Sequence, residues 1–155
     1  MRGYISIALF SFAMFFSACT KSPHSPEPEA PEIWGTVVMS EIVSNNASLR
    51  TDEFDEFEDY IIIWNPQDTI INLVGWGLSD RIDSVRYTFP GMSSIQPDST
   101  ILVWCDAQPE QGANHADFGI SADGEWIGLT DSEGNLVDSL TLPSLPPDSI
   151  FRRNL

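Results

Sequence analysis

EDYIIIWNPQDTIINLVGWGLSD, residues 58–80, is the stretch that decides the fold of this chain. Residues 60–64 are apolar, β-branched or aromatic, which is typical of a strand, and Asn65-Pro66 has the composition of a turn. A second short strand is predicted over Ile70–Leu73. It leads into a corner where Trp76 lies between two glycines, and a third strand follows. Short strands joined by tight turns, without a helical period, predict β structure.

The same pattern continues through the rest of the chain from Ile33 onward. A hairpin is predicted over Glu125–Asp138, with its turn at Ser132–Asn135. The fold class is therefore all-β, a β-sandwich of roughly eight to nine short, mainly antiparallel strands. Besides the three above (the third at Trp76–Ser79), the predicted strands are Thr36–Val43, Val85–Phe89, Thr100–Cys105, Trp126–Thr130 and Leu136–Leu142.

Four short segments of this sequence resemble motifs of the lamin tail domain, an immunoglobulin-like β-sandwich found in nuclear lamins and in bacterial surface proteins. They are SEIV at 40–43, YIIIWNP at 60–66, INLVGWGLSD at 71–80 and YTFP at 87–90. The likeness continues through IQPDSTILVWCD at 95–106 and HADFGISADGE at 115–125, so that it covers about 36–151. The resemblance implies an immunoglobulin-like sandwich that acts by binding. Ile62 departs from the glutamate common in the family, and no heptads are present, so a filament-forming role is not implied.

The sequence of the first residues indicates a targeting signal rather than a part of the folded domain. Arg2 precedes an apolar stretch at 5–16, and Ala18-Cys19 ends it, which resembles a bacterial lipoprotein signal despite Phe16. We therefore expect residues 1–18 to be a signal peptide and Cys19 to be lipidated, which gives a stable membrane anchor. Thr20 stands where aspartate would mark inner-membrane retention, so the expected location is the cell envelope, in the outer membrane.

Residues 19–32 are predicted to be a tether between this anchor and the domain. The segment KSPHSPEPEAPE at 21–32 is rich in proline and glutamate and has no apolar period. The predicted organisation is a signal peptide at 1–18, a tether at 19–32 and a sandwich at 33–155.

The net charge limits the kind of partner. With 23 acidic and 7 basic residues the chain carries a formal charge of -16, which excludes a nucleic-acid partner because phosphate binding needs a basic surface. The same charge suits a solvated surface, or one that holds divalent cations.

The acidic loop, residues 52–59, is the first candidate site. Carboxylates at this density suit Ca²⁺, although the spacing is not that of an EF-hand. The alternative is a solvated loop that Phe54 and Phe57 attach to the sandwich. The candidate ligands are Asp52, Glu53, Asp55, Glu56, Glu58 and Asp59.

A second candidate site lies around the predicted loop 106–116. Asp106, His115 and Asp117, with Asp123 nearby, offer one imidazole and several carboxylates, which could bind zinc or act as an Asp-His base. The alternative is that His115 and Asp106 fix the loop through hydrogen bonds. No set of three ligands at zinc spacing and no nucleophile elbow is visible in the sequence.

The tryptophans and the remaining cysteine have both a structural and a functional interpretation. Trp34, Trp64, Trp76, Trp104 and Trp126 could fill the core or form an exposed patch that stacks on sugars. Cys105 is expected to be a buried apolar residue rather than a reactive thiol.

Together these features predict a lipid-anchored envelope module for adhesion or scaffolding, without catalysis, that presents loops and sheet edges to an envelope protein or polysaccharide. The alternative is a calcium-dependent or carbohydrate-binding domain that uses the acidic loop or exposed tryptophans.

Overall fold

The computed structural model describes residues 37–155, which contain short strands and one turn of 3₁₀ helix at Pro109–Gln111. Within this part of the chain no helix is long and apolar enough to cross a membrane. The strands are β1 (Val38–Val43), β2 (Tyr60–Asn65), β3 (Ile71–Asn72), β4 (Gly77–Ser79), β5 (Tyr87–Thr88), β6 (Ser94–Ile95), β7 (Ser99–Cys105), β8 (His115–Ala116), β9 (Trp126–Thr130), β10 (Leu136–Thr141) and β11 (Phe151–Arg152).

Two sheets form the layers of the domain. One has the order β11-β1-β2-β7-β8 and the other β10-β9-β4-β5, while β3 and β6 form a two-stranded ribbon. Neighbouring strands are antiparallel except for β7 and β8, which run parallel. The predicted all-β, immunoglobulin-like sandwich is confirmed. The described chain has 11 strands rather than eight or nine, because β6, β8 and β11 are two-residue pairings that leave no periodic pattern in the sequence.

The core lies where alternate residues of the two sheets face one another. Ile61 and Ile63 of β2, Val103 of β7, and Ile127 and Leu129 of β9 are all fully buried. Each such side chain contributes about 1.5–3 kcal/mol to stability by leaving water. A smaller cluster covers the other face of the five-stranded sheet, where the rings of Tyr60 and Trp104 pack edge to face with centroids 5.6 Å apart.

The predicted hairpin is present and turns where the sequence indicates. The amide of Asp131 donates to the carbonyl of Asn135 at 2.9 Å, and Gly134 has a φ of 85°, which an L side chain tolerates poorly. The predicted strand Val85–Phe89 is shorter in the structure, because only Tyr87–Thr88 pairs with β4.

One buried carboxylate joins the two sheets. Asp138 of β10 accepts a hydrogen bond from the backbone amide of Met39 in β1 at 2.8 Å. Its other oxygen contacts the guanidinium of Arg153 at 2.5 Å. The Asp138 side chain is buried and that of Arg153 is 13% exposed, so a largely buried polar contact connects the edge of the four-stranded sheet to the five-stranded sheet.

Candidate functional site

The acidic loop begins at a buried aspartate that organises the turn behind it. Asp52 Oδ1 accepts the backbone amides of Phe54 at 2.8 Å and Glu56 at 3.0 Å. Asp55 between them has a φ of 64°, a left-handed conformation that aspartate tolerates better than most residues. Asp52, one of the predicted calcium ligands, therefore already uses one carboxylate oxygen to accept hydrogen bonds from the backbone of its own loop.

Asp59 closes the loop in a similar way. Its Oδ1 accepts the backbone amides of Asn45 at 2.6 Å and Asn46 at 3.2 Å. Burial raises the pKa of Asp59, and the hydrogen bonds from these amides offset only part of that rise. Burial also raises the pKa of Glu58, with further increases from the charges of Asp106 and its acidic neighbours.

Asn46 is a loop residue that the sequence did not single out. Its side-chain amide donates to the carbonyls of Arg50 at 2.7 Å and Glu58 at 2.8 Å, while its Oδ1 accepts the amide of Leu49 at 3.0 Å. Asn46 is buried, and its side-chain amide has hydrogen-bond partners for both its donor and its acceptor atoms. These bonds hold the segment before the acidic loop against Glu58 at the end of that loop.

The remaining acids of this loop face solvent. Glu53, Asp55 and Glu56 are exposed, and calcium binding by the set remains a prediction. Phe54 and Phe57 are both exposed, but Phe54 also makes an edge contact with the ring of His115 at a centroid distance of 6.1 Å. Of the two phenylalanines expected to hold the loop, the structure therefore gives an aromatic contact to Phe54.

His115 occupies the meeting point of the two predicted sites. Parallel pairing of β8 with β7 sets His115 opposite Trp104, so Asp106, just after β7, lies beside it. Asp106 Oδ2 is in hydrogen-bond contact with His115 Nδ1, and Glu53 Oε1 lies 3.2 Å from Nε2 on the other side of the ring. Burial alone would lower the pKa of His115, but its interactions with the carboxylates of Asp106 and Glu53 outweigh burial and raise that pKa.

The structure therefore brings together residues from both predicted sites and places other predicted site residues away from them. Asp52 and Glu53 from the acidic loop meet Asp106 and His115. Asp117 does not join them: its carboxylate pairs with Arg86 at 2.9 Å. Asp123 is exposed in a turn.

A groove on the outer face of the four-stranded sheet is a second feature that the sequence did not indicate. We call it the outer groove. Its volume is about 360 Å³, and small residues on paired strands, Gly77 opposite Thr130 and Ser79 opposite Gly128, form its floor. Larger side chains and a polar loop form its walls, namely Arg81, Ile82, Asp83, Ser84, Val85, Trp126, Gly134 and Leu136.

Two glycines in the floor of the groove leave room for the side chains that form its walls. A Cβ on Gly128 would lie 2.2 Å from the Trp126 ring, and one on Gly77 would lie 2.6 Å from a methyl of Val85. The indole of Trp126 therefore lies close over the backbone of Gly128, where no other residue type fits without moving the ring. The signal in the sequence is the alternation G-x-S and G-x-T, which becomes meaningful only once the strands are paired.

The other tryptophans and Cys105 have structural surroundings. Trp104 is buried, Trp76 packs against the main core, and Trp64 donates its Nε1 hydrogen to Asp98 at 3.1 Å. Cys105 is buried as predicted, and that burial raises the pKa of its thiol well above the usual range. Trp34, the predicted lipidation site Cys19, the predicted signal peptide and the predicted tether lie outside the described residues.

Comparison with known proteins agrees with this architecture. No curated protein matches the chain. The model of the Lamin Tail Domain family matches residues 33–144, which include β1 to β10 and both features described above. The chain therefore belongs to the lamin tail domain family.

Proposed function

We propose that this protein is a lipid-anchored binding module of the bacterial cell envelope, without catalytic activity, and that the outer groove is its binding surface. Lamin tail domains are β-sandwich domains of the binding and interaction type and form a non-catalytic family. The anchor and its address are supported by the composition ahead of the domain, with Ala18-Cys19 after an apolar stretch and Thr20 after the cysteine.

The clustering of exposed apolar side chains around the outer groove carries this proposal. Ile82 is 83% exposed, Leu136 57% and Val85 52%. None of the three belongs to the buried core of the sandwich. Single exposed apolar residues are ordinary on protein surfaces, but a group of them around a concavity is typical of an interaction site. The partner this surface suits is an apolar segment of an envelope protein.

The buried position of the Asp-His pair supports a binding role over a catalytic one. The side chains of Asp106 and His115 have no exposed surface in the described part of the chain. Neither residue lines the outer groove. A general base must come within hydrogen-bond reach of its substrate, and this pair is enclosed by protein.

Site-specific photocrosslinking in intact cells tests the binding surface. A photoreactive residue at Ile82 or Leu136 of the full-length protein should give a discrete adduct with a partner, whereas the same residue at Met92 should not. Met92 is the matched control because it is apolar and 95% exposed but does not line the groove. Equal adducts from all three positions, or adducts from none, would contradict the proposal.

A second experiment tests the anchor separately. Cys19→Ala should abolish metabolic labelling with a radioactive fatty acid and move the protein from the membrane fraction to the soluble fraction. Labelling that persists in Cys19→Ala would refute lipidation at this residue while leaving the groove proposal intact.

Carbohydrate binding is the second candidate, and Trp126 is the observation that favours it. An indole held over the backbone in a groove wall, with Ser79, Arg81 and Asp83 nearby as hydrogen-bonding groups, resembles a platform for stacking a sugar ring. Cosedimentation with purified cell-wall polysaccharide tests it: Trp126→Ala should abolish binding and Met92→Ala should not. If the unaltered protein stays in the supernatant, this candidate is excluded.

A further inference from the structure

Three potential metal ligands from distant parts of the sequence converge beside β8. One carboxylate oxygen of Asp52, one of Asp106 and a ring nitrogen of His115 all lie within 4.8 Å of one another. Asp52 comes from the acidic loop, Asp106 follows β7 and His115 belongs to β8, so strand pairing and loop conformation bring them together.

The second observation is that Asp52 offers a free acceptor to this cluster. Its side chain belongs to a residue that is only 8% exposed, and Oδ1 is already held by two backbone amides. Its Oδ2 is buried and has no hydrogen-bond partner among residues 37–155. A buried carboxylate oxygen without a partner is costly, so its environment favours a cation.

The imidazole of His115 is also buried and held in place by neighbouring groups. His115 is 2% exposed, and Asp106 Oδ2 contacts its Nδ1. Glu53 Oε1 lies 3.2 Å from Nε2, yet the orientation leaves Nε2 without a well-formed hydrogen bond within the described residues. Glu53, beside the nitrogen opposite Asp106, is placed to hold the orientation of the ring, as carboxylate partners of metal-bound histidines commonly do.

We propose that Asp52, Asp106 and His115 form a binding site for one divalent transition-metal ion of the zinc type. One imidazole nitrogen with two carboxylates is a donor set that zinc accepts with a fourth position left open. Calcium prefers an all-oxygen shell of six to eight ligands, so the imidazole argues against it. Four-coordinate zinc separates its ligand atoms by roughly 3.3 Å, which these side chains reach with small movements from their present spacing.

Such an ion would crosslink the acidic loop to the end of β7 and to β8. In the metal-free protein Asp106 Oδ2 contacts His115 Nδ1 directly, and the bound ion would replace this contact with a bond to each group. Binding therefore ties Asp52 to a part of the sheet that is distant from it in sequence. This inference uses no residue of the outer groove and is independent of the proposed partner.

Isothermal titration calorimetry with Zn²⁺ tests the site, using the full-length protein purified in detergent and stripped with a chelator. The unaltered protein should bind one ion and show a higher melting temperature with Zn²⁺. Asp52→Asn should weaken binding by at least about 10- to 100-fold, because the amide keeps the Oδ1 hydrogen bonds and removes the ligand oxygen. Asp55→Asn makes the same charge change at an exposed position of the same loop and should bind as the unaltered protein does.

Two further readouts separate a built site from a merely acidic surface. His115→Gln should abolish binding in the calorimetric titration, and it should remove the rise in melting temperature with Zn²⁺. If His115→Gln fails to fold, the comparison of Asp52→Asn with Asp55→Asn decides the question. The proposal is overturned by no Zn²⁺ binding, by equal weakening in the two loop variants, or by a preference for Ca²⁺ over Zn²⁺.

Discussion

Replacing Asp138 with alanine should lower the free energy of unfolding by about 3–5 kcal/mol, the usual cost of removing one partner from a buried ion pair. The structural basis is the double role of this carboxylate. It accepts the backbone amide of the fully buried Met39 at 2.8 Å and contacts the Arg153 guanidinium at 2.5 Å. Alanine would leave the buried Met39 amide without its acceptor, which accounts for about 1–3 kcal/mol of the loss.

Asp138→Asn divides this cost between its two causes. The asparagine carbonyl can still accept the Met39 amide, so this variant loses mainly the charge opposite Arg153. A hydrogen bond to a charged group contributes about 1.5–3 kcal/mol, so Asp138→Asn should lie between the unaltered protein and Asp138→Ala.

Urea unfolding followed by tryptophan fluorescence measures these differences. For a domain of this size 1 kcal/mol corresponds to about 3–5 °C in melting temperature, so Asp138→Ala should melt about 10–25 °C lower. The control is Asp68→Ala, at an exposed position, which should change stability by less than about 0.5 kcal/mol. If Asp138→Ala proved as mild as Asp68→Ala, the connection between the sheets would carry little energy and the reasoning would fail.

Three other predictions concern turns and loops of the same domain. Hydrogen bonds from a serine hydroxyl and two backbone amides lower the pKa of Asp148, so Asp148→Asn should melt lower at neutral pH; thermal melts should show this difference disappearing as the pH falls below about 4. Tyr87→Phe removes a 2.8 Å hydrogen bond to a carbonyl of the loop before β8, and urea unfolding should show a loss of about 1 kcal/mol. Gly124→Ala would put a methyl 2.4 Å from the Leu142 carbonyl oxygen at a φ of 92°, so it should cost more than Gly134→Ala, where a methyl meets nothing within 4 Å; paired thermal melts of the two variants decide this.

The longer strands could be predicted from the sequence because each carries its own evidence. The strands β2 and β7 are rich in β-branched and aromatic residues, which is typical of strands, and the turns between strands have their own composition. The strands β6, β8 and β11 have two residues each and exist only because a partner lies beside them. The equally short β3 and β5 lie within predicted strands, but β6, β8 and β11 have no such pattern around them.

The candidate metal site shows the same limit more sharply. The sequence indicated carboxylates around Asp52 and an imidazole at His115, but as two separate groups. Their convergence depends on the parallel register of β7 with β8, and on a hydrogen bond from the Cys105 amide to the Asp59 carbonyl that holds the acidic loop at the same end of β7. Register and loop closure are tertiary properties, and so the sequence alone could not predict the cluster.

The outer groove was missed for a different reason. It is made by small side chains at positions where strands usually carry large ones, and a missing side chain leaves little trace in a hydropathy pattern. Only the pairing of Gly77 with Thr130 and Ser79 with Gly128 places the small residues together on one face.

The strand β11 has a consequence for how much of this chain must be kept to obtain a stable domain. It pairs with β1 through Glu41 and Ile42, yet it lies beyond residue 144, where the family match ends. A chain cut at that boundary would leave backbone donors and acceptors of β1 open along a sheet edge, and such edges recruit strands from other molecules. Residues 145–155 thus include the strand that covers this edge of β1, and a stable domain requires a longer segment than the family match.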